Sequence, residues 1–303
     1  MAAACPRPVE IAPGVHRLET GRGLMEANVY LVHSSAGGLV VVDTAWAGRA
    51  PAVRRAAEAV ARGRTEAVLL THVHPDHSGA AAALARAWRV PVYLHPEELR
   101  FAPGRYLPEF AHPLDRRVVA PLMRLVPGRL REAARVEGSL EGLAVAYEPG
   151  RGVPFLPGWR CVPTPGHTPG HVAFFRPEDG LLISGDAVVT VELNAPLRFL
   201  RETRELSGPP RWTTWDWARA AASVRALAAL PVRTLAPGHG RPLALDGAAR
   251  LLALADRMER GRRARVRAAH DTGSGHRVTV WPVAASSSSA EASRPISSGR
   301  VSE

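Results

Sequence analysis

Three observations predict an α/β fold. Short apolar runs of strand length alternate with alanine-rich segments of helical composition along most of the 303 residues. Stretches rich in His, Asp and Gly follow directly on several of the strand-like runs, as polar loops do at the edge of a sheet. The hydrophobic fraction is 46%, the share of an ordinary globular protein, and the length allows a substantial core.

Residues 14–19, 28–33 and 39–43 are apolar runs between glycine-bearing turns and are predicted strands. Residues 50–62 have helical composition with a loosely apolar face, and 67–70 is a strand of the buried kind. Residues 79–88 are alanine-rich and helical, and 92–94 is another short strand. After residue 158, strands are predicted at 159–162, 172–175, 181–184 and 234–236. A helix is predicted over 215–230, with Val224, Leu227 and Leu230 at helical spacing, and a last helix over 248–269. Each half thus runs strands, helix, strand and polar loop, which hints at duplication without a residue-level repeat.

Residues 96–158 break this rhythm, because nine prolines chop them into pieces. Residues 114–126 and 130–136 still suit short amphipathic helices, with arginines on one side and Val, Leu and Met on the other. The segment is expected to be an inserted cap, either a lid over a substrate cleft or a packed surface insertion. Residues 1–270 are expected to form one domain carrying that cap. From 271 to 303 the composition turns to Ser, Gly, Ala and Arg, too poor in apolar surface to offset ordering entropy, so a disordered tail is expected.

The net charge of +11 raises nucleic acid as a partner. Every Lys/Arg-type charge is arginine, in a chain rich in Ala, Gly and Pro, as GC-rich coding produces. The arginines are spread out apart from one dense run at 257–267, so nucleic acid is not expected to bind. No apolar run approaches the roughly 20 residues that span a bilayer, so no membrane is expected. Residues 1–10 lack the apolar stretch of a signal peptide, and a cytoplasmic location is expected. Cys5 and Cys161 make no disulfide framework, and Cys161 sits among apolar neighbours as a small buried hydrophobe would.

The chemistry is concentrated in four stretches: His72-Val73-His74-Pro75-Asp76-His77, Gly166-His167, Ser184-Gly185-Asp186 and Gly238-His239-Gly240. Imidazole nitrogens and carboxylate oxygens bind divalent metals at short, directional distances, so ligands must converge from fixed backbone positions. His72 and His74 are two apart and project to the same side of an extended segment. Asp76 and His77 follow as the chain turns into the next helix, which redirects them toward a second ion. Pro75 stiffens that turn. Thr164-Pro165-Gly166-His167-Thr168-Pro169-Gly170-His171 makes a rigid loop with two Pro-Gly pairs. Asp186 follows a strand, where a carboxylate can bridge two cations. Glycine on both sides of His239 lets the backbone approach a crowded site.

These stretches resemble the signature of the metallo-β-lactamase superfamily: His-x-His-x-Asp-His, a downstream Gly-His, an Asp after a strand and a final Gly-His. The resemblance spans roughly residues 14–245, and Thr-Pro-Gly-His-Thr-Pro-Gly-His with Ser-Gly-Asp looks most like the glyoxalase II-like branch. It implies a four-layer αβ/βα sandwich with metals at one edge between the sheets. Carried over by position, one metal would take His72, His74 and His167, the other Asp76, His77 and His239, with Asp186 between them. The cofactor implied is a pair of divalent ions, zinc first, with iron or manganese as alternatives. Asp43, ending a strand, is expected to buttress the His-x-His loop, and His171 to pack or hydrogen-bond behind the ligands.

The implied reaction is hydrolysis by a metal-bridging hydroxide, with Asp76 as the catalytic residue that orients the nucleophile and takes a proton. The partner is a small-molecule substrate, an ester, thioester or lactone. Its pocket walls are sought in residues 21–26, Trp46, the 96–158 segment, 188–199 and the tryptophans of 212–217. The alternatives are a mono-iron persulfide dioxygenase-like enzyme, a nuclease of the same superfamily and a non-catalytic metal-binding protein.

Overall fold

Apolar side chains alternate along the strands, and that alternation sets the layers of the protein. The computed structural model describes residues 7–21, 23–112, 115–192, 194 and 206–271. Its strands are β1 (Val9–Ala12), β2 (Val15–Thr20), β3 (Ala27–His33), β4 (Leu39–Val42), β5 (Thr65–Leu69), β6 (Val92–Leu94), β7 (Ala144–Ala146), β8 (Arg160–Pro163), β9 (Val172–Arg176), β10 (Leu181–Gly185), β11 (Thr234–Pro237) and β12 (Leu243–Ala244). The α-helices are α1 (Ala50–Val60), α2 (Pro75–Ser78), α3 (Ala81–Trp88), α4 (Ala120–Met123), α5 (Gly128–Gly138), α6 (Trp217–Leu227) and α7 (Ala249–Asp271).

One sheet has the order β1-β2-β3-β4-β5-β6-β7, the other β12-β11-β10-β9-β8. The first is antiparallel from β1 to β4 and parallel from β4 to β7. In the second, β10 and β11 run parallel and the other neighbours antiparallel. Tyr30 and Val32 of β3 join Val40, Val42, Phe174 and Ile183 in a core between the sheets. Their neighbours Val29 and Leu31 face outward against Val53 of α1 and Leu84 of α3. On the second sheet, Phe174 points into the shared core while Ala173 and Phe175 pack with Val224, Leu227, Leu251 and Leu254 of α6 and α7. The result is the four-layer αβ/βα sandwich.

The predicted strands and helices are all present, with ends shifted by a few residues. The helix expected from 215 begins at Trp217 because Asp216 caps it, its Oδ1 accepting from Ala218 N at 2.9 Å and Arg219 N at 3.0 Å. Strands β1, β7 and β12 were not expected from the sequence; they are edge strands of two to four residues, too short for a periodic signal.

The 96–158 segment is not all cap. Leu140 is buried in the core outside the first sheet, β7 pairs with β6, and Tyr147, Val153 and Leu156 enter the core between the sheets. Its prolines hid these anchor points, since a three-residue strand between turns resembles loop. The predicted helices there appear as a π-helical turn at Asp115–Val119 leading into α4, and as α5. Val118, Leu122, Leu125 and Val136 of this middle part are exposed.

Residues 1–264 cluster as one compact unit and 265–303 as another, of which only the helical residues to Asp271 are described. The expected tail, from 272 on, lies outside the described residues. Among the described residues no helix is long and apolar enough to cross a membrane.

Phe174 is fully buried where the two sheets meet. Phe174→Ala is expected to cost about 3–5 kcal/mol in chemical denaturation. A loss below about 1 kcal/mol would show that the sheets do not depend on this shared core.

Candidate metal centre

Loops that follow the carboxyl ends of β4, β5, β10 and β11, together with the loop between β8 and β9, bring the polar residues to one place. After β5 the chain passes through Thr71 to His72, and His74 stays extended (ψ 149) as the residue preceding α2. Pro75 opens that helical turn, and Asp76 and His77 fall within it. The Ser78 hydroxyl donates back to the Val73 and His74 carbonyls at 2.9 and 3.1 Å, closing the turn. The Thr164–His171 loop docks on the start of α6, where Trp215 N donates to His167 O at 3.1 Å and Asp216 N to Gly166 O at 2.8 Å.

The ring and carboxylate atoms converge tightly. His74 Nδ1 lies 2.8 Å from His167 Nε2. Asp186 stands in the middle, with Oδ2 3.4 Å from His167 Nε2 and Oδ1 3.3 and 3.4 Å from His77 Nε2 and His239 Nε2. Asp76 Oδ2 is 3.2 Å from His239 Nε2. Three groups have ligand atoms all within 4.8 Å of one another: His72, His74 and His167; His72, His77 and Asp186; and Asp76, His77 and His239. All seven sequence-predicted positions therefore meet. Gly238 explains one glycine of the last motif, because a Cβ there would lie 2.4 Å from Asp186 Oδ1.

Most of the rings are held from behind. His72 Nδ1 is 3.0 Å from the Thr71 hydroxyl, His77 Nδ1 2.8 Å from Asp43 Oδ2, His167 Nδ1 3.2 Å from the Thr214 hydroxyl, and His239 Nδ1 2.5 Å from the Glu26 carbonyl oxygen. Each of these contacts turns Nε2 inward. Asp43, in the left-handed region at φ 58, also accepts from Thr71 N and from the Thr71 hydroxyl, both at 2.8 Å. It thus supports both the His-x-His loop and His77. His171 stands behind the cluster, with Nδ1 2.7 Å from the Thr164 hydroxyl and Nε2 accepting from Asp186 N at 3.0 Å.

The electrostatics favour a cation. Burial drives His72 and His167 well below the ordinary imidazole pKa and takes His171 to about 3, so these rings are neutral. Burial also opposes ionisation of Asp76 and Asp186, but His77 and His239 beside them hold both carboxyls below the usual range. The same contacts overcome burial at His77 and His239, with Asp186 foremost, lifting His239 to about 10. In the metal-free protein, protonated His77 and His239 thus supply the positive charge that the two ionised carboxylates call for, beside the neutral rings of His72 and His167. His72 Nε2 and Asp186 Oδ1 are buried there without a hydrogen-bond partner, a costly arrangement that a bound cation relieves. The donor set of ring nitrogens and carboxylate oxygens suits a divalent metal of the zinc type.

Several supporting residues were not expected from the sequence. Asn28, buried in β3, donates from Nδ2 to the Pro237 and Gly240 carbonyls at 2.8 and 2.7 Å and pins the His239 loop to the first sheet. Tyr30 Oη donates to the same Pro237 carbonyl at 2.7 Å. Glu98 accepts from two loop N–H groups, and burial pushes its carboxyl up to about 7. A polar residue on a strand face that is otherwise apolar was the signal at Asn28; Glu98 was hidden in the proline-rich segment. Of the expected pocket walls, Val188 and Val189 are core, and residues 22, 193 and 195–199 lie outside the described residues. Trp217 anchors α6 by donating from Nε1 to Met258 O at 3.1 Å.

A sequence model of the metallo-beta-lactamase superfamily matches residues 22–239. A probable metallo-hydrolase of Bacillus subtilis, YflN, is 36% identical over 239 residues, covering 77% of this chain and 86% of that protein. A hydroxyacylglutathione hydrolase of Halorhodospira halophila is 31% identical over 125 residues, 41% of this chain and 33% of that protein. Among solved structures, the metallo-beta-lactamase family protein TTHA1429 from Thermus thermophilus superposes with a TM-score of 0.60 at 24% identity, covering 88% of this chain and 85% of that one.

Asn28→Ala strands the part-buried Gly240 carbonyl and leaves Tyr30 as the remaining side-chain donor to the Pro237 carbonyl. It is expected to cost about 1–3 kcal/mol of stability and to speed amide hydrogen exchange at residues 238–240. Unchanged exchange there would remove Asn28 from the support of the site.

Proposed function

The chain belongs to the metallo-beta-lactamase superfamily, and from that premise we propose that it is a metal-dependent hydrolase cleaving an ester, thioester or lactone of a small molecule. The observation that carries this reading is the convergence of five imidazoles and two carboxylates, with four of the rings aimed inward by contacts behind them. His72, His74 and His167 would hold one divalent ion, and Asp76, His77 and His239 a second, with Asp186 reaching both. Zinc is the first choice for such donors, with iron or manganese as alternatives. Ions bound there supply Lewis acidity toward a carbonyl and bring the pKa of water toward neutrality.

The protein's own part is positional. Asp76 has 20% of its side chain exposed against 3% for Asp186, so Asp76 is the carboxylate that meets incoming water. Its Oδ2 holds an attacking water by one proton and takes that proton as the oxygen bonds to the carbonyl carbon. When the bond to the alcohol or thiol breaks, Asp76 returns the proton to the leaving atom. Asp43 and His171 keep the rings and the Asp186 backbone in place during these steps.

An aromatic surface beside the His167 loop supports this substrate class. Phe110 packs edge-on against Trp215 at 5.6 Å and against Phe101 at 5.8 Å, with Arg100 4.8 Å above Phe110 and Arg219 5.2 Å above Trp215. Such a wall suits the apolar part of an acyl compound. The match to a hydroxyacylglutathione hydrolase supports a thioester within that class. We place the reaction in the cytoplasm.

Elemental analysis joined to a panel of esters, thioesters and lactones tests the proposal. Two equivalents of a divalent metal and turnover of at least one class are expected; a fully loaded protein inert across the panel would sink the hydrolase. Iron with oxygen uptake on a persulfide would replace it with a dioxygenase, and salt-sensitive nucleic-acid cleavage with a nuclease. Asp186→Ala should lower metal content. Asp76→Asn should lower kcat by about 10²–10⁴-fold with a smaller effect on KM.

A further inference from the structure

Glu98 is a fully buried carboxylate that the hydrolytic scheme does not use. It lies in the 3-10 helix Pro96–Phe101, just after β6. Its two oxygens diverge: Oε2 accepts from Val73 N at 3.1 Å, and Oε1 accepts from Gly170 N at 2.7 Å. Val73 sits between His72 and His74, and Gly170 is in the loop that carries His167. One side chain therefore joins two loops that arise from different sheets.

The approach is close enough to leave no slack. A Cβ on Gly170 would stand 2.8 Å from Glu98 Cγ and 2.9 Å from His95 Nδ1. The nearby cation, Arg100, donates to the Glu97 carbonyl and carboxylate at the surface. Holding a buried carboxylate without a paired cation costs free energy, since burial lifts its pKa to about 7. The two backbone donors offset part of that cost, and they are the groups that set the distance between the loops.

We propose that Glu98 is a positioning residue that sets the spacing of the three-histidine pocket, His72, His74 and His167, and thereby the metal affinity of that pocket alone. The inference rests on the metal-centre reading above. The 2.8 Å separation of His74 Nδ1 and His167 Nε2 depends on how closely the two loops are drawn together. The other pocket is supported elsewhere, His77 by Asp43 and His239 by the Glu26 carbonyl and the Asn28-bonded loop.

The substitutions differ in a useful way. Glu98→Gln keeps the volume but offers one acceptor oxygen, so one of the two N–H groups faces an NH2. Glu98→Ala removes both acceptors. Gly170→Ala pushes the same contact apart from the other side.

The test is a zinc titration of metal-free full-length protein in competition with a chromophoric chelator, with circular dichroism as the control for folding. Wild type is expected to bind zinc in two steps. Glu98→Ala and Glu98→Gln should weaken one step by about 10–100-fold and leave the other unchanged. In a His74→Ala background, which removes the three-histidine pocket, Glu98→Ala should change nothing further. Gly170→Ala should weaken the same step, because its methyl would stand against Glu98 Cγ, His95 Nδ1 and Glu97 Cβ on one side of the contact.

Equal weakening of both steps, or two intact steps in Glu98→Ala and Glu98→Gln, would refute the brace while leaving the metal centre standing. Wild type that takes up no zinc would overturn the metal centre itself, and the brace with it.

Discussion

A buried imidazole can offer a lone pair in a defined direction only when its other nitrogen is held from behind. Everything about this centre depends on that constraint. Thr71, Asp43, Thr214 and the Glu26 carbonyl each meet the Nδ1 of a ring and turn its Nε2 inward. His74 differs in presenting Nδ1, and it does so opposite His167 Nε2. Imidazoles and ionised carboxylates can stand this close because four of the rings are positioned by hydrogen bonds from behind.

The sandwich brings Asp43 and several of the ligands together through two parallel strand–helix–strand units. In one, β4, α1 and β5 place Asp43 after the first strand and His72 shortly after the second. In the other, β10, α6 and β11 place Asp186 after the first strand and His239 shortly after the second. Both units carry an aspartate and an imidazole to the carboxyl ends of their strands, where loops of an α/β sheet meet ligands. The two aspartates then part in role. Asp43 is satisfied by Thr71 and His77, whereas Asp186 keeps Oδ1 without a hydrogen bond and faces the cluster.

Residues that change backbone direction or repeat a motif were legible in the sequence. Pro75, the two Pro-Gly pairs and the glycines around His239 mark tight loops, and imidazoles in those loops have few uses other than ligation. The alternating strands were legible for the same reason, since Val29 and Tyr30 must face different layers. Partners that depend on tertiary approach were not. Thr214 lies among tryptophans with no motif to mark it, yet its hydroxyl meets His167 Nδ1 across 47 residues of sequence. Glu98 and β7 sat in a segment whose prolines suggested a cap, and only the sheet pairing and the buried carboxylate reveal them as scaffold.

That correction changes how the middle of the chain relates to the site. An inserted cap that only covered a cleft would be free to vary without disturbing the ligands. Here the segment opens at Pro96, and Glu98 is bonded to the His-x-His loop and to the His167 loop. The segment continues through Phe110, packed edge-on against Trp215, and returns through Leu140 and β7 to the first sheet. Its two ends are thus tied to the scaffold, while the surface between them carries the exposed Val118, Leu122 and Leu125. The aromatic wall and the spacing of the His-x-His loop share one covalent segment, and Phe110 follows Glu98 by only twelve residues.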